Sequence, residues 1–105
     1  MTMFKDAQRQ VDEWIQQHPE GYWEPHAIVT HAMEELGEVA REIHHIHGPK
    51  KRKKGEGNGN LGGEIADLMF SLICLANKHN IDLDEAFAKG MDKRNGRDKD
   101  RFTRK

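Results

Sequence analysis

One stretch of this chain restricts its possible folds more than any other. Between Leu61 and Ala76 the apolar residues, among them Ile65, Leu68, Met69, Leu72, Ile73 and Leu75, leave almost no polar face when the segment is wound as a helix. Such a helix must be covered nearly all round. The means to cover it are limited, because only 35% of the 105 residues are hydrophobic and 33% are charged. A chain of this length buries roughly two thirds of the surface its unfolded form exposes. The expected solution is a homo-oligomer, a dimer or a tetramer, in which neighbouring copies cover what one subunit leaves bare.

The remainder reads as three further helices in a single domain over 1–105. Phe4, Ala7, Val11, Trp14 and Ile15 recur at three- and four-residue steps, predicting an amphipathic helix from Met3 to about His18 with Trp14 in the core. Gly21 to Glu24 forms a turn, and Pro25 suits the first position of a second helix running to about His47. Gly48 and Pro49 stop that helix. The basic and glycine-rich stretch 48–60 reads as a mobile loop, followed by the apolar helix from Asn60 or Leu61 to about His79, its first turn weakened by Gly62 and Gly63. Asp82 to Glu85 resembles a capping box that opens a fourth helix ending near Arg94 to Gly96, and 97–105 is a charged tail. No segment alternates with strand period, so the fold class is all-α, a four-helix subunit that assembles into an oligomeric helical bundle.

Charge excludes some roles. With 17 basic against 18 acidic residues and a net charge of -1, no overall field draws the chain to nucleic acid or to a membrane. No apolar run approaches the roughly 20 residues of a membrane span, and the polar N-terminus is unlike a signal peptide. Cys74, without a partner, suits a reducing compartment and a role as a small buried hydrophobe. A cytoplasmic location is expected.

The acids carry the chemistry. Residues three apart share a helix face, so Glu35 and Glu38 can present oxygens to one cation, and Glu64 and Asp67 repeat the spacing. Glu35 and Glu38 border the stripe of Ile28, Ala32, Leu36, Val39, Ile43 and Ile46. Glu64 and Asp67 are the two acids of the apolar helix, where an ionised carboxylate is costly unless it is paired or bound to metal. Clustered hard oxygen ligands favour Mg2+, with Mn2+ as a possible substitute, over zinc.

Glu34-Glu35-Leu36-Gly37-Glu38, followed beyond the loop by Glu64-Ile65-Ala66-Asp67, resembles the MazG-like nucleotide pyrophosphohydrolases of the all-α NTP pyrophosphatase superfamily. Gly21-Tyr22-Trp23-x-Pro25 and the segment Asn95 to Phe102 resemble a small bacterial single-domain subgroup. The resemblance implies magnesium ligation by Glu35, Glu38, Glu64 and Asp67. It leaves Glu34 open, as a group that orients the attacking water, a support for the ligands, or an exposed side chain. The implied reaction is hydrolysis of a (deoxy)nucleoside triphosphate to monophosphate and pyrophosphate, with removal of unwanted nucleotides as its purpose. Glu34, Glu35 and Glu38 are the catalytic candidates.

For substrate binding, Tyr22 and Trp23 are candidates to stack on a base, against a plain packing role. Lys78, Lys93, Arg97 and Arg101 are candidates to neutralise a triphosphate, although Lys78 stands about 16 Å along the helix from Asp67 and reaches phosphate only across an interface. His44, His45 and His47 sit in a last helical turn and complement its dipole rather than bind metal. The basic run Lys50 to Lys54 reads as a solvated loop, which makes nucleic acid an improbable partner. The alternative function is a non-catalytic oligomeric adaptor that uses that loop to bind nucleic acid or an acidic partner.

Overall fold

A computed structural model of the chain describes residues 3–48 and 59–96. Four helices follow in order: α1 (Met3–Ile15), α2 (Pro25–His47), α3 (Leu61–Lys78) and α4 (Leu83–Asn95). No strand occurs among the described residues. No helix is long and apolar enough to cross a membrane. The loop residues Lys50 to Lys54 and the tail residues Arg97 and Arg101 lie outside the described residues.

Local chemistry explains where the helices begin and end. Pro25 opens α2, where a missing N–H costs nothing. The start of α3 is settled by Asn60, whose side-chain oxygen accepts the Gly63 N–H at 2.9 Å. A Cβ at position 63 would fall 2.5 Å from the Asn60 side-chain nitrogen, so the glycine that weakens the turn also makes room for its cap. At the other end, Ile81 N–H donates to the Ala76 carbonyl and Asn80 N–H to that of Asn77, with Asn80 at φ 56°. This is a Schellman stop built on asparagine. Asp82 caps α4 by accepting from Asp84 and Glu85 N–H. The capping box is only half made, since the Glu85 carboxylate reaches forward to Lys89 at 3.0 Å. α1 ends at Ile15, three residues before the sequence reading, because the chain tightens into turns whose N–H groups bond Trp14 and Ile15 carbonyls.

The helices pack around α3. Its most extensive interface is with α2, then α1, while α4 lies against α1. Val11 and Ile15 from α1, Ile28 from α2, and Ile73 and Cys74 from α3 form the core. Cys74 is buried as expected, and burial raises its thiol pKa. The Asp84 carboxylate accepts the Phe4 and Lys5 N–H groups at 2.9 and 3.0 Å, so α4 caps the start of α1 from a distant part of the sequence.

A polar network locks α1 to the end of α3. Gln8 Nε2 donates to Asn77 Oδ1 and to the Ile81 carbonyl, and Gln8 Oε1 accepts the Leu83 N–H. Asn77 Nδ2 donates to the Tyr22 oxygen, whose hydroxyl donates to Asp12 Oδ1 at 2.6 Å. Burial first, and then the bond to Asp12, push the Tyr22 pKa up to about 12. A group held protonated by the fold stabilises it fully below the pKa of the unfolded phenol, near 10, and that stability is lost as pH rises toward 12. Urea unfolding should therefore show wild type more stable than Tyr22→Phe by about 1 kcal/mol at pH 8, discounted for partial exposure. The gap should close toward pH 12. A gap of constant size across that range would contradict the network.

Within the described subunit α3 is left partly bare, as its apolar circumference led one to expect: α2 and α1 are its main partners, and Ile65, Met69 and Leu72 stand exposed along one stripe. Two apolar expectations are corrected. On α2 the packed face is rotated from the apolar stripe toward the acids. Ile28 and Ala32 are buried, but Leu36 is 55% exposed while the Glu35 side chain is only 18% exposed. Trp14 is the second correction. It is 50% exposed, outside the core, with its ring edge-on to Phe70 and tilted against His18.

Candidate functional site

The α2–α3 pairing brings the acidic motifs together. Ile28, early in α2, shares the core with Ile73 and Cys74, late in α3, so the helices run antiparallel and the middle of α2 meets the start of α3. There Glu35, Glu64 and Asp67 each offer a carboxylate oxygen, all within 4.8 Å of one another. No other described residues form such a cluster of three potential ligands. Oxygens bound to one octahedral magnesium at roughly 2.1 Å stand about 3.0 Å apart when adjacent and about 4.2 Å when opposite, so a fit to one ion needs the three side chains to draw together.

Electrostatics agree with that fit. The Glu64 pKa is raised, first by partial burial and then by the negative charges of Glu38, Asp67, Glu35 and Glu42. Carboxylates gathered this closely repel one another, and the donor set, all hard oxygen, suits a hard divalent cation. Glu38 contributes field but stands apart from the close trio; its Oε2 lies 3.8 Å from Arg41 Nη1. Glu34 is exposed, with Oε2 at 4.0 Å from His31 Nδ1.

A second element was not selected from the sequence. His31 Nε2 lies 3.1 Å from Glu35 Oε1, and the His31 ring meets Trp23 edge-on at 5.6 Å. The residue thus links the acidic cluster to a cavity of about 350 Å³ that Tyr22 and Trp23 line with Trp14, Phe70, Ser71 and Cys74. The i, i+4 spacing of His31 and Glu35 was a legible signal. Trp14, Phe70 and Ser71 were not legible as cavity residues, since helical spacing marks which face turns inward but not where a gap remains beneath it. Glu42, whose charge also reaches Glu64, was likewise missed.

The proposed phosphate-binding cations are placed elsewhere. Lys78 is exposed in the last turn of α3, eleven residues and roughly 16 Å beyond Asp67. Lys93 is exposed on α4, the helix that packs on α1. The three histidines close α2 as expected for a dipole complement, and none joins a cluster of three potential ligands among the described residues.

Comparison with known proteins shows the family. Residues 24–102 match the MazG nucleotide pyrophosphohydrolase domain. YpjD of Bacillus subtilis (strain 168) is 48% identical over 101 residues, covering 96% of this chain and 91% of its own. The crystal structure of YpjD from Bacillus subtilis, provisionally assigned as a pyrophosphatase, superposes with a TM-score of 0.77 at 45% identity, over 85% of this chain and 91% of that one. The crystal structure of the Bacillus-conserved MazG protein, a nucleotide pyrophosphohydrolase, gives 0.76 at 42% identity, over 91% and 93%. With Glu35 meeting Glu64 and Asp67 across α2 and α3, and with these likenesses spanning nearly all of its length, the chain belongs to the MazG nucleotide pyrophosphohydrolase family.

Proposed function

We propose that this protein hydrolyses nucleoside triphosphates to nucleoside monophosphate and pyrophosphate with magnesium. The observation that carries the proposal is the convergence of Glu35, Glu64 and Asp67 beside a cavity lined by aromatic rings. A bound divalent cation supplies charge neutralisation of the polyphosphate and lowers the pKa of the attacking water. Glu35, Glu64 and Asp67 hold it, and Glu38, one turn along α2, completes the ligand set by turning from Arg41. His31 fixes the orientation of Glu35. Glu34, exposed next to Glu35 in the chain, accepts a proton from the water in this reading. The aromatic cavity takes the base, with Tyr22 and Trp23 on its wall.

Water attacks the α-phosphorus, the bond from that phosphorus to the bridging oxygen breaks, and pyrophosphate departs. Hydrolysis in oxygen-18 water should place the label on the monophosphate. Nucleoside diphosphate with labelled orthophosphate as first products would sink this reading.

Self-association belongs to the same proposal. Val29, Met33, Leu36 and Ile43 form an exposed apolar stripe on α2, and Ile65, Met69 and Leu72 form another on α3. A second copy of the chain is the occupant these stripes fit. It would also bring cations such as Lys78 toward a neighbour's acids.

A further inference from the structure

Most of the cavity beside the acidic cluster is apolar ring and aliphatic surface, which would hold a flat heterocycle without distinguishing one from another. Of its polar lining residues, His18 and Glu20 are exposed, and Tyr22 and His31 are engaged with Asp12 and Glu35; Ser71 is neither. It is the buried polar residue of the described chain, 3% exposed, and it lines the cavity. A serine within a helix ordinarily satisfies its hydroxyl on the carbonyl four residues back. Thr30 does so in α2, donating to the His26 carbonyl at 3.0 Å. The Ser71 hydroxyl makes no hydrogen bond among the described residues. Its oxygen is not among the fully buried unpaired atoms, so what surface it keeps faces the cavity, and it takes its partner from whatever fills that space.

Its place along α3 adds a second constraint. Glu64, Asp67, Ser71 and Cys74 follow one another at three- and four-residue steps and so share one stripe of the helix. Ser71 lies a single turn, about 6 Å, beyond Asp67. That rise is about the length of a sugar. A nucleotide with its phosphates at the acids and its base in the cavity brings an edge atom of the base to this hydroxyl.

We propose that Ser71 is the base-reading residue of the site: its hydroxyl hydrogen-bonds a ring or exocyclic atom of the nucleobase and sets which bases are preferred. The inference rests on the reading of the cavity as a base pocket. A hydroxyl both donates and accepts, so it selects by where the polar atom stands on the edge of the base.

The chain has two tryptophans, Trp14 and Trp23, and both line the cavity, so their fluorescence reports its occupancy. The test titrates intact protein with adenosine, guanosine, cytidine and uridine without metal, and separately measures triphosphate turnover with magnesium. Wild type should be quenched with dissociation constants that differ across the four nucleosides. Ser71→Ala, which improves helix propensity and should keep the wild-type circular dichroism, should weaken the preferred nucleoside about tenfold and compress the spread. Its kcat on the preferred triphosphate should stay within about twofold, with the loss in KM, as for binding energy made equally in ground and transition states. An unchanged spread in Ser71→Ala, or no quenching of wild type by any nucleoside, overturns the proposal. Nucleoside binding that depends on Ser71 in a protein that releases no pyrophosphate would uphold base reading while removing the proposed reaction.

Discussion

Exchanging Asp67 for asparagine, or Glu64 for glutamine, is expected to lower magnesium-dependent kcat/KM by about a thousandfold or more while leaving the helices intact. Each change keeps the shape of the side chain and removes one of three charged oxygens that stand within 4.8 Å of one another. The magnitude follows from a charge stabilisation of several kcal/mol at the reacting phosphate. The same variants should behave in the opposite sense without metal. Glu64 is held among carboxylates that raise its pKa, so neutralising it relieves repulsion in the fold. Thermal unfolding without divalent ions should show Glu64→Gln at or above the wild-type midpoint, and added magnesium should raise the midpoint of wild type alone. Full turnover in folded Asp67→Asn, or equal stabilisation of wild type and Glu64→Gln by magnesium, would remove these residues from the metal site.

The second large effect concerns assembly. Met69 and Leu72 lie on the exposed stripe of α3, where nothing among the described residues covers them. If a second copy does, replacing both by glutamate buries charge in an apolar contact. At about 2 kcal/mol for each central side chain, the dissociation constant should rise by about a thousandfold. Light scattering should then report a monomer for Met69→Glu/Leu72→Glu at concentrations where wild type is a dimer or tetramer. The monomer should also lose turnover, since Lys78 no longer reaches a neighbouring site. A wild-type protein that is monomeric at micromolar concentration would overturn the assembly. A monomeric variant with undiminished activity would retain it as packing alone.

The chemistry of this chain was legible in its residues because helices impose a short and reliable period. The three-residue spacing of Glu35 with Glu38 and of Glu64 with Asp67 places each pair on one face whatever the helix packs against. The isolation of Glu64 and Asp67 within apolar α3 marked them for pairing across a contact. Pro25, Asn60 and Asp82 marked helix starts through groups that any helix end requires.

What the period cannot carry is the rotation of one helix against another. The apolar stripe of α2 pointed to Leu36 and Ile43 as core, yet α3 meets the neighbouring face, which draws Glu35 inward and leaves Leu36 out. Rotation about the axis is decided by the best joint packing of all the helices, a property of pairs of surfaces that no single segment contains. The cavity was hidden for the same reason. It exists because Trp14 turns outward onto Phe70 while Trp23 meets His31 across from it, bringing residues from three parts of the chain around a common space. The sequence by itself determined the four helices, the starts of α2 and α4, and the spacing of the acids along their helices. Only the tertiary structure decided which faces meet, that Glu35 joins Glu64 and Asp67 while Glu38 stands aside, and that Ser71 opens onto a pocket, because each of these follows from how whole surfaces fit and not from the spacing of residues along one helix.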